Sequence, residues 1–187
     1  MYKRQSHKWR VQSFTNEEAT EEAIKEIRQP CLLHIATHGF FTDEKENTNA
    51  TDPMLRAGLL FTGAANYLQD NVNYGNDNGI LTAYEAANLN LDNTELVILS
   101  ACETGKGEVQ LGEGVYGLQR AIMVAGANNL LMSLWKVDDE ATAFLMTSFY
   151  SVWEGQNNPD EFREIQIAMR KKYPHPFYWG AFVMLGN

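Results

Sequence analysis

Cysteine is scarce in this chain: 187 residues hold only two, Cys31 and Cys102. Two thiols so far apart make no disulfide framework, and a reducing cytosol is the default compartment they imply. Long apolar runs are missing as well. None approaches the roughly 20 residues that a membrane span requires, and the basic, polar start from Met1 to Lys8 lacks the apolar stretch of a secretory signal. Positive charge is in deficit, with 15 Lys and Arg against 24 Asp and Glu and a formal net charge of −9. That balance argues against an electrostatic grip on nucleic acid or on an anionic membrane. Neither an internal repeat nor a linker-like stretch breaks the chain, so residues 1–187 read as one domain.

Apolar and aromatic residues are plentiful. Hydrophobic residues make up 44% of the chain and include nine Phe, eight Tyr and four Trp, enough for a substantial core and too many for disorder. Alternation in Trp9 to Phe14 predicts a short strand. Thr15 and Glu18 have the spacing of a capping box, and Ala19, Ala23, Ile24 and Ile27 follow at helical intervals. After Pro30, the nearly continuous apolar run from Cys31 to Thr37 predicts a strand covered on both faces, with Cys31 inside it, buried and inert.

Residues 42–56 read as polar loop, Ala57 to Phe61 as a short strand, and Asn66 to Gly79 as an exposed excursion. Thr82 caps the next helix, with Glu85 placed to answer it. A second buried strand runs from Leu96 to Ala101, and a glycine-rich turn (Gly105, Gly107, Gly112, Gly114) leads into a helix from Val115 to Ala125 that ends at Gly126. Leu130 to Trp135 is a third strand, Asp139 a cap for the following helix, and Asn158-Pro159 the start of another. Trp179 to Leu185 reads as a last strand at an edge, with Phe177, Tyr178 and Trp179 as core or cover. Strand alternating with helix specifies an α/β sandwich with a mainly parallel sheet.

In such sheets, ligands bind beyond the carboxyl ends of the strands. Two of those ends carry reactive groups: one strand releases into Thr37-His38-Gly39, another into Ser100-Ala101-Cys102. A nearby imidazole lowers the pKa of a thiol and accepts its proton, while the N–H of a glycine such as Gly39 is able to hold an oxyanion. Taken singly, a cysteine closing a buried strand is a small core residue and a histidine in a turn a satisfied polar group. Their matching positions set the catalytic reading level with that plainer one. Other chemistry finds less support. His34 and His38 lie four apart on a strand with no further ligand cluster, so no metal is expected. The Gly105–Gly114 segment lacks Gly-Lys-Ser/Thr, so no phosphate loop and no cofactor is expected. His175, between Pro174 and Pro176, reads as structural.

His34-Ile35-Ala36-Thr37-His38-Gly39-Phe40, together with Val97-Ile98-Leu99-Ser100-Ala101-Cys102-Glu103-Thr104-Gly105, closely resembles the paired signatures of CHAT domains. These are caspase-like peptidases related to caspases, separase and gingipains, often attached to tetratricopeptide repeats. The likeness continues through Gly112-Glu113-Gly114, Ala125-Gly126-Ala127, Ser133 to Asp139, Phe149-Tyr150 and Tyr178 to Val183, so it covers about residues 14 to 186. It implies a caspase-like three-layer αβα sandwich with a mainly parallel central sheet. The family usually carries another strand and helix before the part seen here, so this sandwich is expected to lack its first strand and helix and to leave an edge uncovered.

The resemblance further implies cleavage of protein or peptide substrates by a cysteine peptidase. Cys102 is then the nucleophile, His38 the base, and the N–H groups of Gly39 and Cys102 the oxyanion donors. The segment after Trp135 resembles the strand that walls the specificity pocket. Ser133, Trp135, Asp138 and Asp139 are its candidate residues, and a carboxylate from Asp138 or Asp139 would favour Arg or Lys. As a cap, Asp139 has the plainer reading, and Glu113 is either an orienting residue or an exposed turn glutamate. A tetratricopeptide-repeat sensor or regulator is the implied partner. Two other classes stand beside the peptidase: a catalytically silent caspase-like interaction module, and a redox-sensing cysteine, which has no resolving cysteine nearby.

Overall fold

The computed structural model describes residues 9–41, 52–70, 77–100, 102–103, 113–135, 138–156 and 159–186. A short 3-10 turn (Asn16–Glu18) and helix α1 (Glu21–Glu26) precede strands β1 (Leu32–Ile35) and β2 (His38–Phe41). Strand β3 (Ala57–Leu60), helix α2 (Ala64–Asp70), strand β4 (Ile80–Thr82) and helix α3 (Ala83–Ala86) follow. Next come β5 (Leu96–Leu99), β6 (Cys102–Glu103), α4 (Glu113–Val124) and β7 (Asn129–Ser133). The chain continues through α5 (Asp139–Val152), α6 (Pro159–Lys172), α7 (Pro176–Trp179) and β8 (Phe182–Gly186).

The main sheet has the order β1-β5-β7-β8; its first two pairings are parallel and β8 runs antiparallel along the edge. Successive side chains on a strand face opposite ways; β5 is apolar throughout, and β7 is apolar between Asn129 and Ser133. Val97 and Leu99 of β5, with Leu130 and Met132 of β7, enter a core shared with Ile24, Ala86, Leu118 and Ile122 from α1, α3 and α4. Leu96, Ile98 and Leu131 enter a second core with Leu145 and Phe149 of α5 and Phe162, Ile165 and Met169 of α6. Helices on both faces of a mainly parallel sheet make the expected αβα sandwich. A second sheet, β4-β3-β2-β6, joins the first core through Ala57, Leu59 and Leu81.

Helix ends follow local chemistry. Thr82 and Glu85 form the expected capping box on α3, with Thr82 Oγ1 accepting from Glu85 N–H at 3.2 Å and Glu85 Oε2 accepting from Thr82 N–H at 3.0 Å. Gly126, at φ 106°, closes α4 in a backbone region that side chains disfavour. Lys25 gathers the carboxylates of Glu21, Asp77 and Glu85, tying α1 to the segments around β4. Burial alone would lower the pKa of Lys25, but its hydrogen bonds to Glu21 and Glu85 outweigh that and raise it.

Several expectations are corrected. Residues 9–15 form no strand; Trp9 instead stacks on Trp153 with ring centroids 5.2 Å apart. Thr15 makes no side-chain cap. The helix starts five residues later, where the Thr20 hydroxyl accepts from Ala23 N–H at 3.1 Å. The sequence stretch from Asn66 is in part helical, because α2 covers Ala64–Asp70. β1 buries only one of its faces fully, and Cys31, just before it, is exposed. Trp179 belongs to the short helix α7 rather than to the last strand. Ala101, the glycine-rich turn from Gly105 to Gly112, and Asn158 lie outside the described residues.

Candidate active site

One feature of the register creates the site. β1 pairs with β5 from Leu32↔Leu96 to Ile35↔Leu99, and β2 pairs with β6 at His38↔Cys102 and Gly39↔Glu103. The differences 96 − 32 and 102 − 38 are both 64, so the same two chain segments stay in phase as they leave the main sheet and enter the second. The crossing occupies Ala36-Thr37 on one side and begins at Ser100 on the other. Thr37 Oγ1 donates to Leu60 O, and Ser100 N–H donates to Ile35 O at 3.0 Å. The first bond holds the β2 side against β3, and the second continues the β1–β5 ladder beyond its last paired residues.

His38 and Cys102 therefore stand directly beside each other on neighbouring parallel strands. His38 is exposed, while Gly39 is buried between Leu59 on one side and Glu103 on the other. The side chains of Cys102, Glu103, Glu113 and Gly114–Tyr116 lie outside what the structure describes, so the juxtaposition is one of backbone register.

A second histidine has a different setting. His34 is half-buried on the face of β1 that looks toward α5. Its Nε2 lies 3.0 Å from Ser100 Oγ, and its Nδ1 lies 2.6 Å from Tyr150 Oη on α5. Burial lowers the His34 pKa and pushes the Tyr150 phenol up to about 12. No sequence motif singles out this trio. Its signal is that His34 interrupts an apolar strand and Ser100 directly follows another. In the 64-residue register Ser100 falls level with Ala36, two places from His34, which is diagonal-neighbour spacing on one face.

The residues beyond β7 are positioned as follows. Ser133 is buried at the end of the strand opposite Phe182. Trp135 is partly buried against the second core, and its Nε1–H donates to Phe177 O at 3.0 Å. Asp138, rather than Asp139, caps α5, with Oδ1 accepting from Ala141 N–H at 2.9 Å. Asp139 is the first helical residue and is exposed. All four leave the carboxyl end of β7, the strand next to β5. His175 caps α7 through Nδ1, which accepts from Phe177 N–H at 3.2 Å. Among the described residues no three His, Cys, Asp or Glu side chains cluster as a metal would need, and no helix is long and apolar enough to cross a membrane.

A sequence model described as CHAT domain matches residues 2–187. Tetratricopeptide repeat protein 28 of Mus musculus is 31% identical over 111 residues, which is 58% of this chain and 4% of that protein. The Homo sapiens protein of the same name gives the same figures, 31% over 111 residues. The chain thus spans only 4% of the length of these curated relatives.

Proposed function

The chain belongs to the CHAT family, a caspase-like and peptidase-related group, and from that membership we propose that it is a cysteine endopeptidase working through Cys102 and His38. The observation that carries the proposal is the parallel pairing of His38 with Cys102 at the rim where both segments have left the main sheet. Ligands bind at such carboxyl-end rims in open parallel sheets.

The chemistry follows from the residue types. His38 takes the proton of the Cys102 thiol, and the thiolate forms a bond to the carbonyl carbon of the scissile peptide. Backbone N–H groups stabilise the resulting oxyanion. The candidate donors are the N–H groups of Gly39 and Cys102, on the paired strands β2 and β6. Collapse of the intermediate breaks the C–N bond, with His38 returning its proton to the leaving amine. Water then attacks the acyl-enzyme and releases the acid and the free thiol.

Substrate choice belongs to the residues past β7. With Asp138 committed to the helix cap, Asp139 is the carboxylate without a capping role, and Ser133 and Trp135 lie before it on the same strand end. A carboxylate there favours Arg or Lys at the cleaved position. The partner we propose is a protein bearing tetratricopeptide repeats, because the curated relatives carry that name. A peptide library tests both levels. The wild-type protein is expected to cleave after basic residues, Asp139→Ala to lose that preference, and Cys102→Ala to lose all turnover. Cleavage retained by Cys102→Ala would end the assignment.

A further inference from the structure

The crossing between the two sheets is where the placement of Cys102 is decided. β5 ends at Leu99 and β6 begins at Cys102, so Ser100 is the last described residue before the nucleophile's strand. Two bonds hold it. Its N–H donates to Ile35 O at 3.0 Å, which continues the ladder, and its Oγ meets His34 Nε2 at 3.0 Å. His34 in turn is held by the Tyr150 hydroxyl at 2.6 Å, from a helix packed on the other side of the sheet from α4.

We propose that His34 is a positioning residue for Cys102, fixing through Ser100 the point from which the nucleophile's strand departs, with Tyr150 locking His34 in turn. The inference rests on the reading of Cys102 as nucleophile. A neutral imidazole has one donor and one acceptor nitrogen, and each hydroxyl is able to donate or accept, so a single ring satisfies both hydroxyls in either tautomer. Burial keeps His34 neutral by lowering its pKa and keeps the Tyr150 phenol protonated, so the network holds one charge state at neutral pH. Half-burying three polar groups beside an apolar helix face is costly unless each is bonded. A Leu at position 34 would fill the same space without that cost, but it would leave Ser100 without its side-chain tether. The two histidines, four residues apart, thus have separate duties: His38 is exposed beside Cys102 in the ladder and His34 is half-buried against α5.

The test is the pH dependence of Cys102 alkylation by iodoacetamide, measured in a Cys31→Ser background because Cys31 is also exposed. His34→Leu and Ser100→Ala are each expected to raise the midpoint of the profile by about one pH unit and to slow labelling at neutral pH roughly tenfold. The double variant should fall no further than either single one, because both remove the same link. His34→Gln, whose amide reaches toward the place of Nε2, should keep the wild-type profile. A folded His34→Leu or Ser100→Ala protein with an unchanged profile overturns the inference, as do additive effects in the double variant. Should His34→Leu fail to fold, Ser100→Ala and Tyr150→Phe decide the matter by the same readout. Failure of the dyad itself looks different, because the wild-type and His38→Ala profiles would then coincide.

Discussion

Two histidines of one sequence motif illustrate how environment rather than identity sets a residue's role. His38 is exposed beside Cys102 in the ladder, whereas His34 is half-buried and bonded at both ring nitrogens. Burial lowers the pKa of His34 below its ordinary value of about 6.5. Below that pH the unfolded chain takes up a proton that the folded protein resists, so the unfolded state binds more protons and stability falls with pH. The loss begins near pH 6.5 and continues down to the depressed folded value; above that window the His34 contribution is constant. Urea midpoints at neutral pH and at about pH 5.5 should therefore differ more for the wild type than for His34→Gln. Equal differences would show that His34 does not carry the effect. A second residue-scale prediction concerns Gly58 in β3, where an added Cβ would lie 2.4 Å from Leu81 O and 2.6 Å from the Phe40 ring. Gly58→Ala is expected to destabilise the protein by about 1–3 kcal/mol. Because β3 pairs with the strand that carries His38, it should also slow Cys102 labelling. Unchanged thermal stability would contradict this account of the second sheet.

Among the elements, the helix caps separate what the sequence made legible from what it did not. The box at Thr82 and Glu85 was readable because both partners are present at the required spacing and Ala83 and Ala86 beyond them are buried. The same spacing at Thr15 and Glu18 misleads, because burial follows Ile24 and the helix that carries it begins at Glu21. At α5 two aspartates stand side by side and either satisfies the pattern; only the backbone shows that Asp138 accepts the Ala141 N–H. Asp138→Ala should therefore cost about 1 kcal/mol and Asp139→Ala nearly nothing in thermal stability, with Asp139→Ala acting on cleavage preference instead. Equal stability losses would return Asp139 to a structural role. Strands β5 and β7 were legible because central parallel strands are apolar on both faces. The edge position of Cys31 was not, since an apolar run looks the same whether its first residue is inside the sheet or just before it. Trp9 to Phe14 alternates as a strand would, yet Trp9 packs by stacking on Trp153 and needs no ladder.

At the scale of the whole molecule, the site depends on two sheets sharing one pair of chain segments in constant register. That register was legible only in outline: reactive residues at two strand ends 64 positions apart are consistent with neighbouring strands, but sequence separation alone does not fix the phase. A shift of one residue in the pairing would turn every side chain of a strand to the opposite face. The αβα layering resists such a shift, because β5 and β7 are apolar on both faces and each face meets a differently shaped core. Ser133 ends β7, the strand adjoining β5, and Trp135, Asp138 and Asp139 follow it in the chain.

The rate at which a thiol-directed electrophile labels Cys102 at neutral pH, compared between the Cys31→Ser protein and its His38→Ala derivative, tests the union of these two segments most directly. Labelling is expected to fall at least tenfold when the imidazole is removed, since a free thiol with a pKa near 8.5 is mostly protonated there. Equal rates would mean that the residue paired with Cys102 in the ladder does not activate it.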